Sequence, residues 1–534
     1  MQKPVKGKGQ LFPVGNYANF SEMRPSILHI WLPVSKIYPL GLTYLANWIH
    51  QRNPAIEQEI LDLSLIPRDL RKAALRRRIV ERDPGILSFG WRDIQIFSPH
   101  EGHDSIKYAF NFYYSWNPVK KLVASVQGLN SLYQYYDNIR ESLSYVRLAD
   151  REFPGKIRVI GGGAFNVFSE QVIHKLPEGT IGIIGEGEEA LLKIAEGRDY
   201  SDERTLVRRG GRIERGSQGR PVEFEKIEMD LPYLESIFPQ HRDYRNEVIG
   251  IQTKRGCPYE CSFCVYPYIE GKGVRFRQIE SILADVKSFY HRWGTRHFWF
   301  TDAQFIPGSN ALPHVTGLLE GILASGLKLT WSGYIRTSLI TAELAPLMVR
   351  SGLGDLEVAI TSGDQEVLNG MKLGFRLDKL YEGVEYLKRA GYQGNIILNY
   401  SLNSPGDTEA TLRASVESYK KIVSILGEER VIPVLFFLGI QPHTDLETEL
   451  IRSGYLKSGY NPLSLNPVTI KKMLYNPAPL NKMIAKACFS AWSRSRREGS
   501  RPSVEEKYAD RFLKQAVERN YGKAVFAALD RALP

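Results

Sequence analysis

Short apolar runs bounded by glycine, proline and charge recur along the chain, alternating with stretches whose apolar residues return every three or four positions. The runs read as buried strands and the periodic stretches as amphipathic helices. Ile27–Val34 (ILHIWLPV) predicts a strand, Leu40–Ile49 (LGLTYLANWI) a helix and EILDLSLI a second strand. An arginine-rich helical stretch then leads to the strand Gly85–Trp91 (GILSFGW). After a longer excursion, Arg158–Phe165 (RVIGGGAF) and Gly182–Ile194 (GIIGEGEEALLKI) each pass from a strand through glycines into a helix. Strand and helix alternating in this order predict an α/β domain with an open, Rossmann-like parallel sheet covered on both faces.

The excursion, Asp93 to Leu132, is longer than a crossover requires and rich in aromatics: Tyr108, Phe110, Phe112, Tyr113, Tyr114 and Trp116. It suits either a wall over a large flat ligand or a packing surface. From Leu132 the series Leu132, Tyr136, Ile139, Leu143 and Val146 restores a helix. Arg204 to Tyr244 is polar, glycine-rich and marked by proline, as in a connector. Six further strand and helix units follow: VIGIQTKRG, HFWFTDAQF, LKLTWSGYIRT, GDLEVAITSGD, GNIILNYSLNSPGDT and RVIPVLFFLGI. They predict a partial (β/α)6 TIM-type barrel with function at the C-terminal strand ends. A helical C-terminal region begins near KKMLYNPAPLNKMIAKACFSAW and continues past a Ser503–Glu506 capping box. The resulting division is 1–203 for the sheet domain with an insertion at 93–132, 204–246 for the connector, 247–440 for the barrel and 441–534 for the helical region.

Composition changes this picture little. The 534 residues are too many for one core. The longest apolar run, Val431–Ile440, has about half the length of a spanning helix, and the first sixteen residues do not read as a secretory signal. The net charge of +11 is spread over Arg71–Arg82, Arg204–Arg215 and Arg494–Arg501, which reads as solvated surface and leaves a peripheral membrane contact open. Nothing in that scatter calls for nucleic acid. A cytoplasmic, reducing location is expected, since Cys488 has no evident disulfide partner.

Three of the four cysteines change the picture most. Cys257, Cys261 and Cys264 lie within eight residues as Cys-x3-Cys-x2-Cys in RGCPYECSFCVYP. Three thiolates so spaced can hold three irons of a 4Fe-4S cluster and leave the fourth open to an exogenous ligand. A structural zinc site would want a fourth ligand, and the nearest histidines, His241 and His291, lie outside the loop.

This loop, with the aromatic Phe263 before its third cysteine, resembles that of the radical S-adenosylmethionine (SAM) superfamily. The resemblance implies that the open iron chelates SAM and that reductive cleavage yields a 5′-deoxyadenosyl radical able to attack unactivated carbon. It also places Thr301 and Asp302 near the methionine amino group, Arg336 within reach of a carboxylate, and Asn399 and Ser401 beside adenosine. Thr361, Ser362 and Gly363 stand where the family has Glu-Ser-Gly, so Thr361 departs from the ribose-binding glutamate. Upstream, PLGLTYLANW, GGGAFN and GEGEEALL resemble the cobalamin-binding domain of one large class of these enzymes. By that resemblance Gly41, Ser88, Gly161, Gly162, Gly163, Gly185, Glu186 and Gly187 line the corrin or its nucleotide tail. The motif that supplies a lower axial histidine is absent after the first strand, where the chain reads VSKIYPLG; His100 and His103 follow a different strand.

The function implied is methyl transfer or tetrapyrrole-type ring modification of a small, tetrapyrrole or lipid-like substrate, with flavodoxin or ferredoxin as electron donor. The layout resembles anaerobic Mg-protoporphyrin monomethyl ester cyclases and cyanobacterial photosystem-acclimation radical SAM proteins. A cobalamin-free radical enzyme and a non-catalytic cluster-binding assembly factor are the alternatives. Methylthiolation would need three further N-terminal cysteines, which this sequence lacks. Cys488 and His443 read as structural.

Overall fold

The computed structural model describes residues 26–33, 36–92, 105–219, 221–225, 227–464, 466–497 and 511–533. His100, His103 and the Ser503–Glu506 capping box lie outside the described residues, as do the side chains of Tyr113, Leu132 and Tyr136.

The N-terminal sheet contains β1 (Ser26–Trp31), β2 (Glu57–Asp62), β3 (Ile86–Gly90), β4 (Ile157–Gly161), β5 (Ile181–Ile183), β6 (Thr205–Arg209) and β7 (Arg212–Arg215). Its order is β2-β1-β3-β4-β5-β6-β7, with β1 to β5 parallel and β6 and β7 antiparallel. The sheet therefore extends to Arg215, into what the sequence suggested was connector. The parallel order 2-1-3-4-5 puts the topological switch between β1 and β3, where ligands of such sheets bind.

The strands are apolar because both faces are covered. Helix α1 (Leu40–Arg52) buries Leu42, Tyr44, Trp48 and Ile49. Helix α2 (Arg71–Arg82) inserts only Leu75 and Ile79 and turns its arginines outward. Arg71, Arg76 and Arg78 pair with Glu141, Glu152 and Glu59, so this basic run is a neutralised surface. The aromatic excursion folds as α3 (Ser105–Tyr114) and α4 (Pro118–Glu152). Asn117 caps α4 by accepting from Val119 N and Lys120 N, and Pro118 opens its first turn. Two more helices, α5 (Gly163–Ile173) and α6 (Glu188–Ala195), follow β4 and β5.

The second sheet is the open barrel. Its strands β8 (Ile249–Ile251), β11 (His297–Phe300), β12 (Thr330–Tyr334), β13 (Leu353–Thr361), β14 (Ile396–Leu402) and β15 (Val431–Phe437) are all parallel, in sequence order. A two-stranded ribbon of β9 (Lys254–Arg255) and β10 (Arg275–Phe276) interrupts them after β8. Side chains alternate between a face buried against helices (Phe298, Phe300, Trp331, Val358, Leu398) and an inner face left accessible (Trp299, Thr301, Ser332, Glu357, Asn399). The barrel does not close. Edge strand β15 carries Pro433, which a strand paired on one side tolerates. The helix Arg511–Ala532 covers that edge, with Gly522 so close to the Pro433 carbonyl that a Cβ would overlap it and Phe526 packed on Tyr400 and Tyr419.

Candidate functional site

The ribbon β9–β10 frames the cysteine loop, so the loop's two ends are held together by backbone pairing. Gly256 opens it at φ +87°, and a Cβ there would overlap the Gly273 carbonyl, which leaves room for glycine alone. Cys257 N donates to Gly271 O at 3.0 Å, Gly256 N to the Glu270 carboxylate at 3.3 Å, and Lys254 Nζ to Gly256 O at 2.8 Å. Farther on, Ser262 N donates to Met371 O and Ser262 O accepts from Leu446 N, which pins the middle of the loop to two distant segments. Cys261 and Phe263 rest on an apolar group that includes Leu368, Met371, Leu438 and Ile440.

Burial pushes the Cys261 thiol up, opposed by the Arg336 guanidinium, and pushes Cys264 up to about 12. A metal would have to displace those protons. Among the described residues no three His, Cys, Asp or Glu side chains gather as a site for one metal ion. Neither nearby histidine joins them: His241 Nδ1 bonds Phe238 O beside Trp293, and His291 is exposed on a helix.

Arg336, expected to wait for a carboxylate, is already engaged with the loop. Its Nη2 donates to Cys261 Sγ at 3.4 Å, its Nη1 donates to Leu373 O, and its plane lies 3.4 Å from the Tyr259 ring centroid. A guanidinium there favours negative charge on the sulfur. Asp302 is likewise committed. It lies fully buried and accepts from Thr253 N (3.0 Å), Lys254 N (3.1 Å) and Thr253 Oγ1 (2.5 Å), so it braces the strand entering the loop. Burial holds its carboxyl above the usual range, with Lys254 and these donors opposing.

The remaining barrel candidates converge at adjacent strand ends. Thr301 N bonds Ile251 O, and its side chain is half-buried on the inner face. Thr361 ends β13 at φ +72°, a strained conformation for a β-branched residue, and its buried Oγ1 has no partner among the described residues. Its carbonyl accepts from Ser401 Oγ at 3.2 Å. Ser362 Oγ receives Asp364 N, and Gly363 N donates to Ser415 Oγ at 2.9 Å, with no space for a Cβ beside Ala414 O. Asn399 is half-buried on the inner face of β14, level with Ala359 and Val434. The orphaned hydroxyl of strained Thr361, close to the cysteine loop's end of the barrel, suits a polar cosubstrate such as SAM.

Sequence reasoning missed the inner-face residues Trp299, Tyr334 and Glu357. The Trp299 and Tyr334 rings meet edge to face at 5.5 Å, and Tyr334 remains 39% exposed to the lumen. The alternation along HFWFT, TWSGY and LEVAI carried that signal, since their off-core positions hold Trp, Tyr and Glu.

The N-terminal candidates divide. Gly41, at the start of α1, has open space around it, and Trp31 Nε1 is buried without a partner among the described residues at the end of β1, beside the β1/β3 switch. Trp31 Nε1 offers a hydrogen bond that an acceptor on a ligand such as cobalamin would satisfy. Gly161 lies 3.6 Å (Cβ position) from Ile183 O, and Gly163 begins α5. Gly162, at φ +97°, uses its missing Cβ to lie against the Trp91 backbone; Gly185, at φ +81°, lies beside Ile269 O of the helix Tyr266–Glu270, with its N–H donating to Asn166 Oδ1. Ser88 is buried in mid-strand, level with His29 and Val159. Gly187 packs on Leu45. Glu186 is an ion-pair residue: it accepts from Arg275 and Val222 N and pairs with Arg255 at 3.4 Å. Next to it Glu188 pairs with buried Arg255 at 2.5 Å. These contacts set the β5 end of the sheet directly against the entrance of the cysteine loop.

His443, read as structural, stacks on Tyr268 with ring centroids 3.9 Å apart. Cys488 is a buried core residue.

The sequence profile described as the Radical SAM superfamily matches residues 251–419. A bacteriochlorophyllide d C-12(1)-methyltransferase of Chlorobaculum tepidum is 28% identical over 32% of this chain and 38% of its own. The chain spans less than two thirds of the first curated relatives it matches, 59% in the case of one from Methanocaldococcus jannaschii. The radical SAM methyltransferase TsrM from Kitasatospora setae, solved with cobalamin and a [4Fe-4S] cluster bound, superposes at a TM-score of 0.63 and 17% identity, covering 94% of this chain and 99% of that one. OxsB, a cobalamin-dependent SAM radical enzyme solved with aqua-cobalamin and SAM, gives 0.65 and 13%, covering 94% and 72%. At these identities the likeness is one of fold, and it extends over both sheets.

Proposed function

We propose that this chain, whose residues 251–419 form a radical SAM domain, is a cobalamin-dependent radical SAM enzyme that transfers a methyl group to an unactivated carbon of a small molecule. One observation carries the reading: a pinned three-cysteine loop at the mouth of an open barrel abuts the carboxyl end of a 2-1-3-4-5 sheet. When bound, the cluster would supply the electron that cleaves SAM, and cobalamin would carry the methyl group.

The chain's own residues hold, orient and exclude. Cys257, Cys261 and Cys264 are the cluster ligands, and Arg336 fixes Cys261 from one side. Thr361 Oγ1 offers a hydrogen bond to the adenosine side of SAM. Trp299 and Tyr334 give the lumen aromatic walls, which suit a flat or lipid-like substrate such as a tetrapyrrole. Flavodoxin or ferredoxin would be the electron donor. Gly162 and Gly185 packed on their own chain, together with Glu186 in an ion pair, support a second reading in which the sheet is a scaffold and the barrel acts without cobalamin.

The test uses anaerobically reconstituted full-length protein. Reduction should release 5′-deoxyadenosine or S-adenosylhomocysteine from SAM, and Cys261→Ala should abolish both; no turnover of SAM by reduced, cluster-loaded protein would sink the enzymatic reading. Cobalamin titration by absorbance separates the two versions, stoichiometric binding supporting the first and none the second.

A further inference from the structure

Among the described residues, part of one face of helix α4 is uncovered close to the barrel rim. Trp116, just before its cap, is 92% exposed, and Val119, Leu122 (68%), Val123 and Val126 follow at helical spacing with similar exposure. The opposite face is packed: Ala124 is buried, and Gly128 lies against Tyr108 of α3. This region is held to the barrel. Phe110 of α3 stacks on Phe489 at 4.5 Å, and Asn476 Nδ2 donates to Tyr114 Oη while its Oδ1 accepts from Asn403, which follows β14 at its C-terminal end.

The charges within the stripe are basic, and the nearest acidic residues in sequence are Asp104 and Asp137. From Ser105 to Tyr136 the chain contains Lys107, Lys120 and Lys121 and no acidic residue. Lys120 and Lys121 are exposed within the stripe, and Lys482 of the helix Asn481–Arg497 stands over the Trp116 ring at 5.8 Å. A tryptophan at one end, aliphatic side chains along one face and lysines beside them are what an interfacial helix presents to lipid headgroups. No helix among the described residues is long and apolar enough to cross a membrane, so the stripe would lie on a surface.

We infer that the Trp116–Val126 face docks the enzyme on an anionic lipid bilayer. Its lysines meet the headgroups, Trp116 sits at the acyl boundary, and the open barrel end is held beside the membrane. The inference is independent of the cofactor reading, because it rests on the surface alone.

The experiment is flotation of the full-length protein with phosphatidylcholine vesicles, with and without phosphatidylglycerol. The protein should float with the anionic vesicles and much less with the neutral ones, and added salt should reduce the effect. Trp116→Ser combined with Leu122→Ser and Val126→Ser should lower partitioning at least tenfold, as should Lys120→Glu with Lys121→Glu, while the melting temperature and cluster content stay at the wild-type level. Equal flotation of wild type and both variants would overturn the inference. So would absence of wild-type flotation, including the case where light scattering shows a dimer that the triple variant dissociates, because a second copy would then cover the stripe.

Discussion

Gly256 and Gly162 are alike in backbone and unlike in what they hold. Each has a positive φ, each stands just after a strand, and at each a Cβ would strike a carbonyl of the neighbouring segment. Gly256 closes the loop that carries three thiols; Gly162 seats the turn after β4 on the Trp91 backbone, where β3 ends. A glycine at a strand end is thus evidence of close approach, and only its surroundings tell whether the approach serves a ligand or the chain itself.

Alanine at the two positions breaks or sharpens that difference. Gly256→Ala forces the β9–β10 ribbon apart, and we expect a cost above about 4 kcal/mol together with loss of the cluster absorbance on reconstitution. Gly162→Ala should destabilise comparably in denaturant while the protein that remains folded keeps its full iron content. Iron per folded molecule is the measurement, and equal loss in both variants would erase the distinction.

The two regions meet at a buried ion pair, which gives the next effect in size. Glu188→Ala leaves the Arg255 guanidinium buried without its closest carboxylate, although Glu186 remains within 3.4 Å. Removing one partner of such a pair costs about 3 to 4 kcal/mol. Because Arg255 lies two residues before Cys257, the variant should also load cluster more slowly; unfolding in urea and the rate of reconstitution report the two separately.

Much of this contrast was visible in the sequence, for reasons that differ by region. All six barrel strands appear where the apolar runs put them, since strands buried by helices must be apolar, and Cys-x3-Cys-x2-Cys is a local pattern. The β6–β7 hairpin was missed because charge interrupts its apolar residues: Leu206 sits opposite Arg215, Val207 opposite Glu214, Arg208 opposite Ile213 and Arg209 opposite Arg212. Helix α4 begins at Pro118, ahead of the Leu132 start that the apolar periodicity predicts, and Asn117-Pro118 is the local signal that marks it. Arg336 and Asp302 were singled out by type and order, and their partners, Cys261 at 75 positions' distance and Thr253 at 49, could come only from the fold. Glu186 shows the same limit, as its arginines lie across a domain boundary.

Acid should test a buried histidine of the N-terminal domain. His29 lies fully buried in β1, hydrogen-bonded to Gln58 at 2.9 Å, and burial lowers its pKa from 6.5 to about 4, with Gln58 opposing. The folded state therefore keeps His29 neutral while the unfolded chain takes up a proton below 6.5. Its stabilising contribution is complete above pH 6.5 and is lost as pH falls from there toward 4, by about 3 kcal/mol in all. His29→Leu should flatten that limb of the urea-unfolding profile. An unchanged slope would mean that His29 is not held neutral by the fold.

The smallest change belongs to the barrel. Thr361→Gly relieves the strain at φ +72° but gives up a fully buried side chain, two terms of about 1 to 2 kcal/mol that oppose each other. Stability should therefore move by no more than about 1 kcal/mol. If Oγ1 is kept without a protein partner because it serves SAM, affinity for SAM should fall roughly tenfold, the worth of one hydrogen bond of about 1.4 kcal/mol. Thr361→Ser keeps the hydroxyl and should retain that affinity. Equilibrium dialysis on the cluster-loaded protein distinguishes the cases: equal affinity in the glycine variant would make Thr361 a strained residue that serves the chain's own packing, as Gly162 does without strain in the other sheet.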